Sequence, residues 1–397
     1  MLTPLPALLP ELTALYQDLH AHPELSFAEH RTAAEIARRL TALGYEVTTG
    51  VGTTGVVGLL RNGPGPTVLL RADIDALPVA ERTGLPYAST VSAPDPDGHP
   101  VPVMHACGHD LHITWLIGAA TLFAADRAGW TGTLMLVFQP AEEIGAGAAA
   151  MVDDGLFERF GWPDVALGQH VVPGPAGTLR YRPGLAFAAS DALRVQMFGR
   201  GGHGSRPETT IDPVVMAAAT VLRLQTVVSR EIAAADAAVV TVGALRAGTK
   251  ENIIPDEAEL KLSVRTFDPG VRSRVLAAIE RIIRGEAVTA GAEKEPRIET
   301  AYRFDPLVND EAATERVAGA FTGFFGTDRV KLAPPVTGSE DFGIFGDRGG
   351  FPYVYWLVSG TDTDEHSNHS PFFAPILDPT LSTGVEALVT AARLWLT

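Results

Sequence analysis

Four short stretches of the 397-residue sequence carry side chains that bind divalent metals: His105-Ala106-Cys107-Gly108-His109-Asp110, Gln139-Pro140-Ala141-Glu142-Glu143, Gly168-Gln169-His170 and His369-Ser370-Pro371-Phe372-Phe373. Their order fits a two-metal hydrolase. The adjacent pair Glu142-Glu143 is the most informative. Such a site needs one carboxylate as a ligand and a second, unligated, to take a proton from the attacking water, and neighbouring side chains leaving a loop in different directions supply both. Cys107 and His109, two residues apart, face one side of a strand or, just before a helix, one ion. Singly, each residue has a plainer explanation. A lone buried cysteine is usually a small core residue, two acidic residues suit the first turn of a helix, and His170 and His369 could be ordinary histidines. It is the set that points to a metal centre. Gly108, between a thiol and an imidazole, has no evident packing role, and Asp110 is placed to cap the helix that follows.

The elements that position these residues read as an α/β protein. Residues 12–20, 32–43 and 109–125 have helix spacing, whereas 56–60, 66–71, 132–138 and 164–168 are short apolar runs bounded by Gly or Pro. Such runs suit buried strands of a mostly parallel sheet flanked by helices. Glu142 and Glu143 follow one run and His170 another, at the carboxyl ends of strands, where open α/β sheets bind ligands. From about residue 184 the pattern changes to alternating strands at 192–198, 238–245 and 257–267, with helices at 213–232 and 270–283. The expectation is a smaller inserted α+β domain at 184–300, splitting a catalytic domain made of 1–183 and 301–397. Helix 311–325, strand 353–358 and helix 377–396 resume the first pattern and bring in His369.

Composition bounds the partners. The 46% hydrophobic and 20% charged residues are those of a globular chain, and the net charge of −16 disfavours nucleic acid and anionic membrane surfaces. A single cysteine permits no intramolecular disulfide. Residues 1–10 lack the basic start and apolar run of a secretory signal, so a cytoplasmic protein is expected.

Other motifs are set aside on physical grounds. The loop Gly201-Gly202-His203-Gly204-Ser205-Arg206-Pro207 lacks the Gly-Lys-Ser/Thr ending of a phosphate-cradling loop, which leaves a flexible segment carrying an imidazole toward a reacting carbonyl. The run Gly50-Val51-Gly52-Thr53-Thr54-Gly55 has dinucleotide-loop spacing but precedes a strand, so no helix N-terminus is there to hold a pyrophosphate. No Gly-x-Ser-x-Gly elbow supports a serine hydrolase.

Together with His20-Ala21-His22-Pro23-Glu24, Arg71-Ala72-Asp73-Ile74-Asp75-Ala76-Leu77-Pro78, Asn252-Ile253-Ile254-Pro255 and Gly338-Ser339-Glu340-Asp341-Phe342, these motifs resemble the M20 metallopeptidase and amidohydrolase family over nearly the whole chain. The resemblance is to its N-acyl-amino-acid, hippurate and auxin-conjugate branch. It implies two divalent ions, manganese or zinc first and cobalt or nickel next, held by Cys107, His109, Glu143, His170 and His369, with Glu142 as general base and Asp75 supporting the site. Related branches carry His where Asp73 stands and Asp where Cys107 stands. The inserted domain would act as a lid and dimerisation domain in a homodimer, with His203 reaching the partner's site. Asn252 and Arg265 are candidate contacts to a small N-acyl amino acid, although Arg265 suits a surface ion pair equally. Amide hydrolysis is the expected reaction. A dipeptidase or aminopeptidase on the same scaffold and a non-catalytic metal-binding protein are the alternatives.

Overall fold

The computed structural model describes residues 1–95, 98–362 and 365–396. The chain divides into two compact units, one made of Met1–Ala186, Val308–Pro335 and Asp341–Thr397, the other of Phe187–Leu307 and Val336–Glu340.

The first unit is built on an eight-stranded sheet in the order Glu46–Val51, Gly55–Asn62, Gly132–Gln139, Thr67–Asp73, Val165–Val172, Tyr353–Ser359, Leu179–Tyr181, Val330–Leu332. Its four central strands, Gly132–Gln139 through Tyr353–Ser359, run parallel; Gly55–Asn62 and Leu179–Tyr181 pair antiparallel to their outer edges, and Val330–Leu332 pairs parallel to Leu179–Tyr181. The sheet is therefore mixed, with a parallel centre. The strand Tyr353–Ser359 is buried along its whole length, as is Thr67–Asp73 apart from its first residue. That explains why these segments read as unbroken apolar runs rather than alternating ones. The helix His109–Ala125 is buried nearly all round, and Leu5–His20 and Leu377–Leu396 pack against it. The register pairs Asp73 with Gln139, Arg71 with Gly168, and Gly168 with Tyr355, so the carboxyl ends of the central strands lie level. Among the described residues no helix is long and apolar enough to cross a membrane.

The second unit is a four-stranded antiparallel sheet in the order Ala238–Ala247, Glu257–Thr266, Ala189–Phe198, Arg297–Phe304. The helices Pro213–Thr226 and Pro269–Thr289 share its core, formed by Val195, Met197, Leu224, Leu260, Val264, Val275 and Ile279. Both begin with the same device: Asp212 and Asp268 accept backbone N–H groups of the first turn, and a proline occupies the first helical position, where its missing N–H costs nothing. The strand Arg297–Phe304 runs across residue 300, where the sequence pattern suggested a domain boundary. Most of its side chains are exposed, so it lacks the apolar alternation that marks the other strands. The expected helix 213–232 is α-helical only to Thr226 and continues as a wider turn, Val227–Glu231.

Candidate metal centre

The parallel strands deliver the chemistry to one end of the sheet. Asp73 ends the strand Thr67–Asp73, Glu142 and Glu143 lie just beyond Gly132–Gln139, and His170 lies near the end of Val165–Val172. Cys107 and His109 flank the start of the buried helix, and Gly108 between them has φ +85°. A Cβ there would also sit 2.3 Å from Val171 Cγ1, so both backbone and space demand glycine. Gly108 thus has a packing role that its sequence context did not reveal. His369 enters from a loop with φ 70°, its N–H donating to Ala106 O at 2.8 Å.

Five side chains proposed from sequence converge. Cys107 Sγ lies 3.4 Å from His170 Nε2, His369 Nε2 lies 3.4 Å from Glu143 Oε2, and His109 Nε2 lies 3.8 Å from Glu143 Oε1. Donor atoms of Cys107, Glu143 and His369 all fall within 4.8 Å of one another, as do those of His109, Glu142 and Glu143. The tautomers are set from behind. His170 Nδ1–H donates to Val171 O at 2.7 Å, and His109 Nδ1–H faces Asp75 Oδ1 at 3.2 Å, so in the neutral form that binds a metal each ring turns Nε2 toward the cluster.

The donor set fits cations. Buried His109 Nε2 and Glu143 Oε1 face each other without a hydrogen-bond partner, an arrangement costly for polar atoms unless something positive lies between them. Burial, together with Asp75 and Asp73, pushes the Glu143 carboxyl up to about 8, and burial beside Glu143 and Glu142 pushes the Cys107 thiol well above its usual range. Burial alone would lower the His109 pKa, yet Asp73, Asp75 and Glu143 outweigh it and raise it to about 10. A cluster this negative and this buried is one that divalent cations would neutralise.

Asp75 is the hub of the supporting layer. Besides His109, it accepts the Ser26 hydroxyl at 2.7 Å and the Glu143 backbone N–H at 3.1 Å, so one carboxylate fixes an imidazole and the loop bearing a neighbouring carboxylate. That loop is tight: Ala141 has φ 50°, and a Cβ on Gly147 would fall 1.5 Å from Pro140 O.

Several supporting roles go beyond what the sequence motifs assign. His112 is buried, bonds Asp73 through Nδ1 at 2.5 Å and accepts the Val171 N–H on Nε2 at 2.9 Å, which occupies both ring nitrogens. Its spacing of three from His109 on a helix was the available signal. Arg71, fully buried, bridges Asp73 and Asp341 and donates to Gln139, tying two strand ends to the segment before the helix Gly343–Gly349. Asp110 does not cap the helix, which starts at His109; its carboxylate holds His20 Nδ1 at 2.7 Å and the Leu111 N–H.

In the second unit, the loop of His203 and the Asn252–Pro255 stretch form one ribbon, with Gly202 opposite Ile254, His203 opposite Ile253 and Gly204 N–H donating to Asn252 O at 2.9 Å. Two stretches chosen separately from sequence are therefore neighbours. His203 is exposed, and its Nδ1 accepts the Ser205 N–H at 3.1 Å, which places the ring proton of the neutral form on Nε2. Arg265 donates to Ser339 Oγ at 2.6 Å, and among the described residues its guanidinium makes no ion pair.

Comparison with known proteins agrees with this chemistry. The sequence pattern of peptidase family M20/M25/M40 matches residues 69–394. Hippurate hydrolase of Campylobacter jejuni is 38% identical over 91% of both chains, and N-acetyl-L-cysteine deacetylase of Bacillus subtilis is 36% identical over 91% of this chain and 83% of its own. A crystal structure from Bacillus subtilis, described as a dinuclear metal binding peptidase from the M20 family, superposes with a TM-score of 0.78 at 31% identity, covering 98% of this chain and 99% of that one.

Proposed function

The chain belongs to peptidase family M20/M25/M40, and from that membership and the chemistry of the cluster we propose that it hydrolyses the amide bond of N-acyl amino acids, releasing a carboxylic acid and a free amino acid. The observation that carries the proposal is the Glu142-Glu143 pair: Glu143 faces His109 and His369, while Glu142, 5% exposed, stands beside it in the same buried group.

Cys107, His109, Glu143, His170 and His369 would hold two divalent ions, with manganese or zinc the first candidates for this thiolate, imidazole and carboxylate set and cobalt or nickel next. Such ions supply an electrophile for the scissile carbonyl and a water of lowered pKa. Glu142 takes the proton of the attacking water as its oxygen bonds to the carbonyl carbon. It returns that proton to the amine nitrogen as the C–N bond breaks, so the one carboxylate serves as base and then acid. His203 donates Nε2–H to the oxyanion that forms between these steps, in the partner's site of a homodimer held by the second unit. Arg265, with Ser339 fixing its guanidinium, binds the substrate carboxylate in a fork, and Asn252 contributes a polar contact from the ribbon of His203. A lone buried cysteine without a disulfide suits a reducing compartment, and we assign the protein to the cytoplasm.

A second possibility is cleavage of dipeptides, favoured by the structural relative described as a peptidase. Screening acetyl, benzoyl and longer acyl amino acids against dipeptides, with and without added manganese, separates the two. Glu142→Gln decides the role of the base: it should retain bound metal and lose nearly all hydrolysis, whereas full activity in that variant removes Glu142 from the mechanism.

A further inference from the structure

The turn before the helix His30–Ala42 lies behind both carboxylate-bearing loops of the cluster. Leu25 bridges to Ala76, Ala76 N–H donates to Glu24 O at 2.8 Å, and Ser26 donates to Asp75 at 2.7 Å. At its end stands Glu29, with no exposed surface. Glu29 Oε1 accepts the N–H groups of Phe27 and Ala141, both at 2.9 Å, and Oε2 accepts the hydroxyl of buried Thr54. Three segments far apart in sequence thus donate to one carboxylate.

A helix cap would be the ordinary explanation for an acidic residue at this position. It fails here, because the Glu29 side chain makes no capping hydrogen bond to the helix that follows. Burying a carboxylate costs several kcal/mol unless its partners compensate, and burial with nearby Asp75 pushes Glu29 up to about 7 despite its three donors. Of its three donors, only the N–H of Ala141 belongs to the loop that carries Glu142 and Glu143. Ala141 sits in the left-handed region at φ 50°, a conformation that costs a non-glycine residue about 1–2 kcal/mol. It directly precedes Glu142 and Glu143. If its N–H lost the carboxylate, the peptide would be both orphaned and strained, and relaxing it would turn the two following side chains.

We propose that Glu29 is a positioning residue: by holding the Ala141 N–H it locks the left-handed turn that aims Glu142 at the attacking water and Glu143 at the metal cluster. Ser26, through Asp75, supports the same loop from the same turn. The inference rests on the roles proposed above for Glu142 and Glu143.

The test pairs metal titration with kinetics. Metal-free wild type, Glu29→Met, Glu29→Gln and the double variant Glu29→Met/Ala141→Gly are titrated with manganese and zinc against a chromophoric chelator, and each is assayed on an N-acyl amino acid. Methionine fills the volume but accepts no hydrogen bond, so metal affinity and kcat should each fall about 10- to 100-fold with KM within twofold. Glutamine keeps an oxygen for both N–H groups while Thr54 turns to accept from its amide, so it should stay near wild type. Glycine at 141 occupies the left-handed region without strain and should restore part of both losses. A folded Glu29→Met that binds metal and turns over like wild type overturns the proposal, as does a folded Glu29→Gln as impaired as the methionine variant. If Glu29→Met does not fold, the glutamine variant decides: metal binding and turnover near wild type support the proposal, and losses of about 10- to 100-fold in a folded protein overturn it. Failure of the metal-centre proposal itself would look different, because wild type would then take up no metal.

Discussion

Replacing Asp75 by Asn probes the metal centre without touching a proposed ligand. Asp75 is 1% exposed and accepts from three donors: His109 Nδ1–H at 3.2 Å on one oxygen, and Ser26 Oγ–H at 2.7 Å and Glu143 N–H at 3.1 Å on the other. An asparagine offers one oxygen and one NH2 group. If the amide nitrogen faces His109, it meets an N–H and forces the imidazole into the other tautomer, which places a proton on the Nε2 aimed at the metals. If it faces Glu143, it opposes a backbone N–H and pushes the loop away. Either way one or two charge-assisted hydrogen bonds are lost, each contributing about 1.5–3 kcal/mol. The expected loss in metal affinity is therefore about 10- to 100-fold, in the range for removal of such supporting partners. Competition against a chelator of known affinity reads this directly, with thermal unfolding of the metal-free protein as a control for general damage. Unchanged metal affinity in a folded Asp75→Asn protein would refute the argument that Asp75 orients His109.

Gly108→Ala places a Cβ 2.3 Å from Val171 Cγ1 at φ +85°, and urea unfolding should show a loss of about 2–4 kcal/mol from overlap and backbone strain together. Adding Val171→Ala should recover the steric part and leave the backbone part; full recovery would show that φ is not at issue. His20 makes a prediction about pH. Burial opposes its charge, but hydrogen bonds to Asp110 at 2.7 Å and Glu81 at 3.0 Å raise its pKa from 6.5 to about 10. A raised folded-state pKa means that the stabilisation is complete below about 6.5 and disappears as pH rises through about 10. At roughly 1.4 kcal/mol per unit, it amounts to about 4–5 kcal/mol. The stability gap between wild type and His20→Gln should therefore narrow from pH 6 to pH 10 in urea titrations, and a gap that widens instead would contradict a charged His20.

The parts legible in the sequence were those that local periodicity or motif spacing encodes. The strands Thr67–Asp73 and Tyr353–Ser359 are buried on both faces and so appear as continuous apolar runs, and the helix His109–Ala125 begins and ends where its pattern does. The residues Cys107, His109, Glu142, Glu143, His170 and His369 stood out because few other roles explain them together. What stayed hidden depends on partners remote in sequence. His20 meets Asp110 across 90 positions and Ala141 meets Glu29 across 112, and no periodicity relates such pairs. The strand Arg297–Phe304 was missed for the opposite reason: its exposed side chains erase the alternation that would announce it.

The central claim is that Cys107, His109, Glu143, His170 and His369 hold two divalent ions. A crystal of the manganese- or zinc-loaded protein, with anomalous scattering recorded across the metal edge, tests it most directly. Two peaks should appear, each contacted by members of this set, with Asp75 behind His109 and Glu142 beside but outside the coordination. No peak, or a single one seated among Asp73, His109, His112 and His170, which would require His112 to give up a hydrogen bond, would contradict the account.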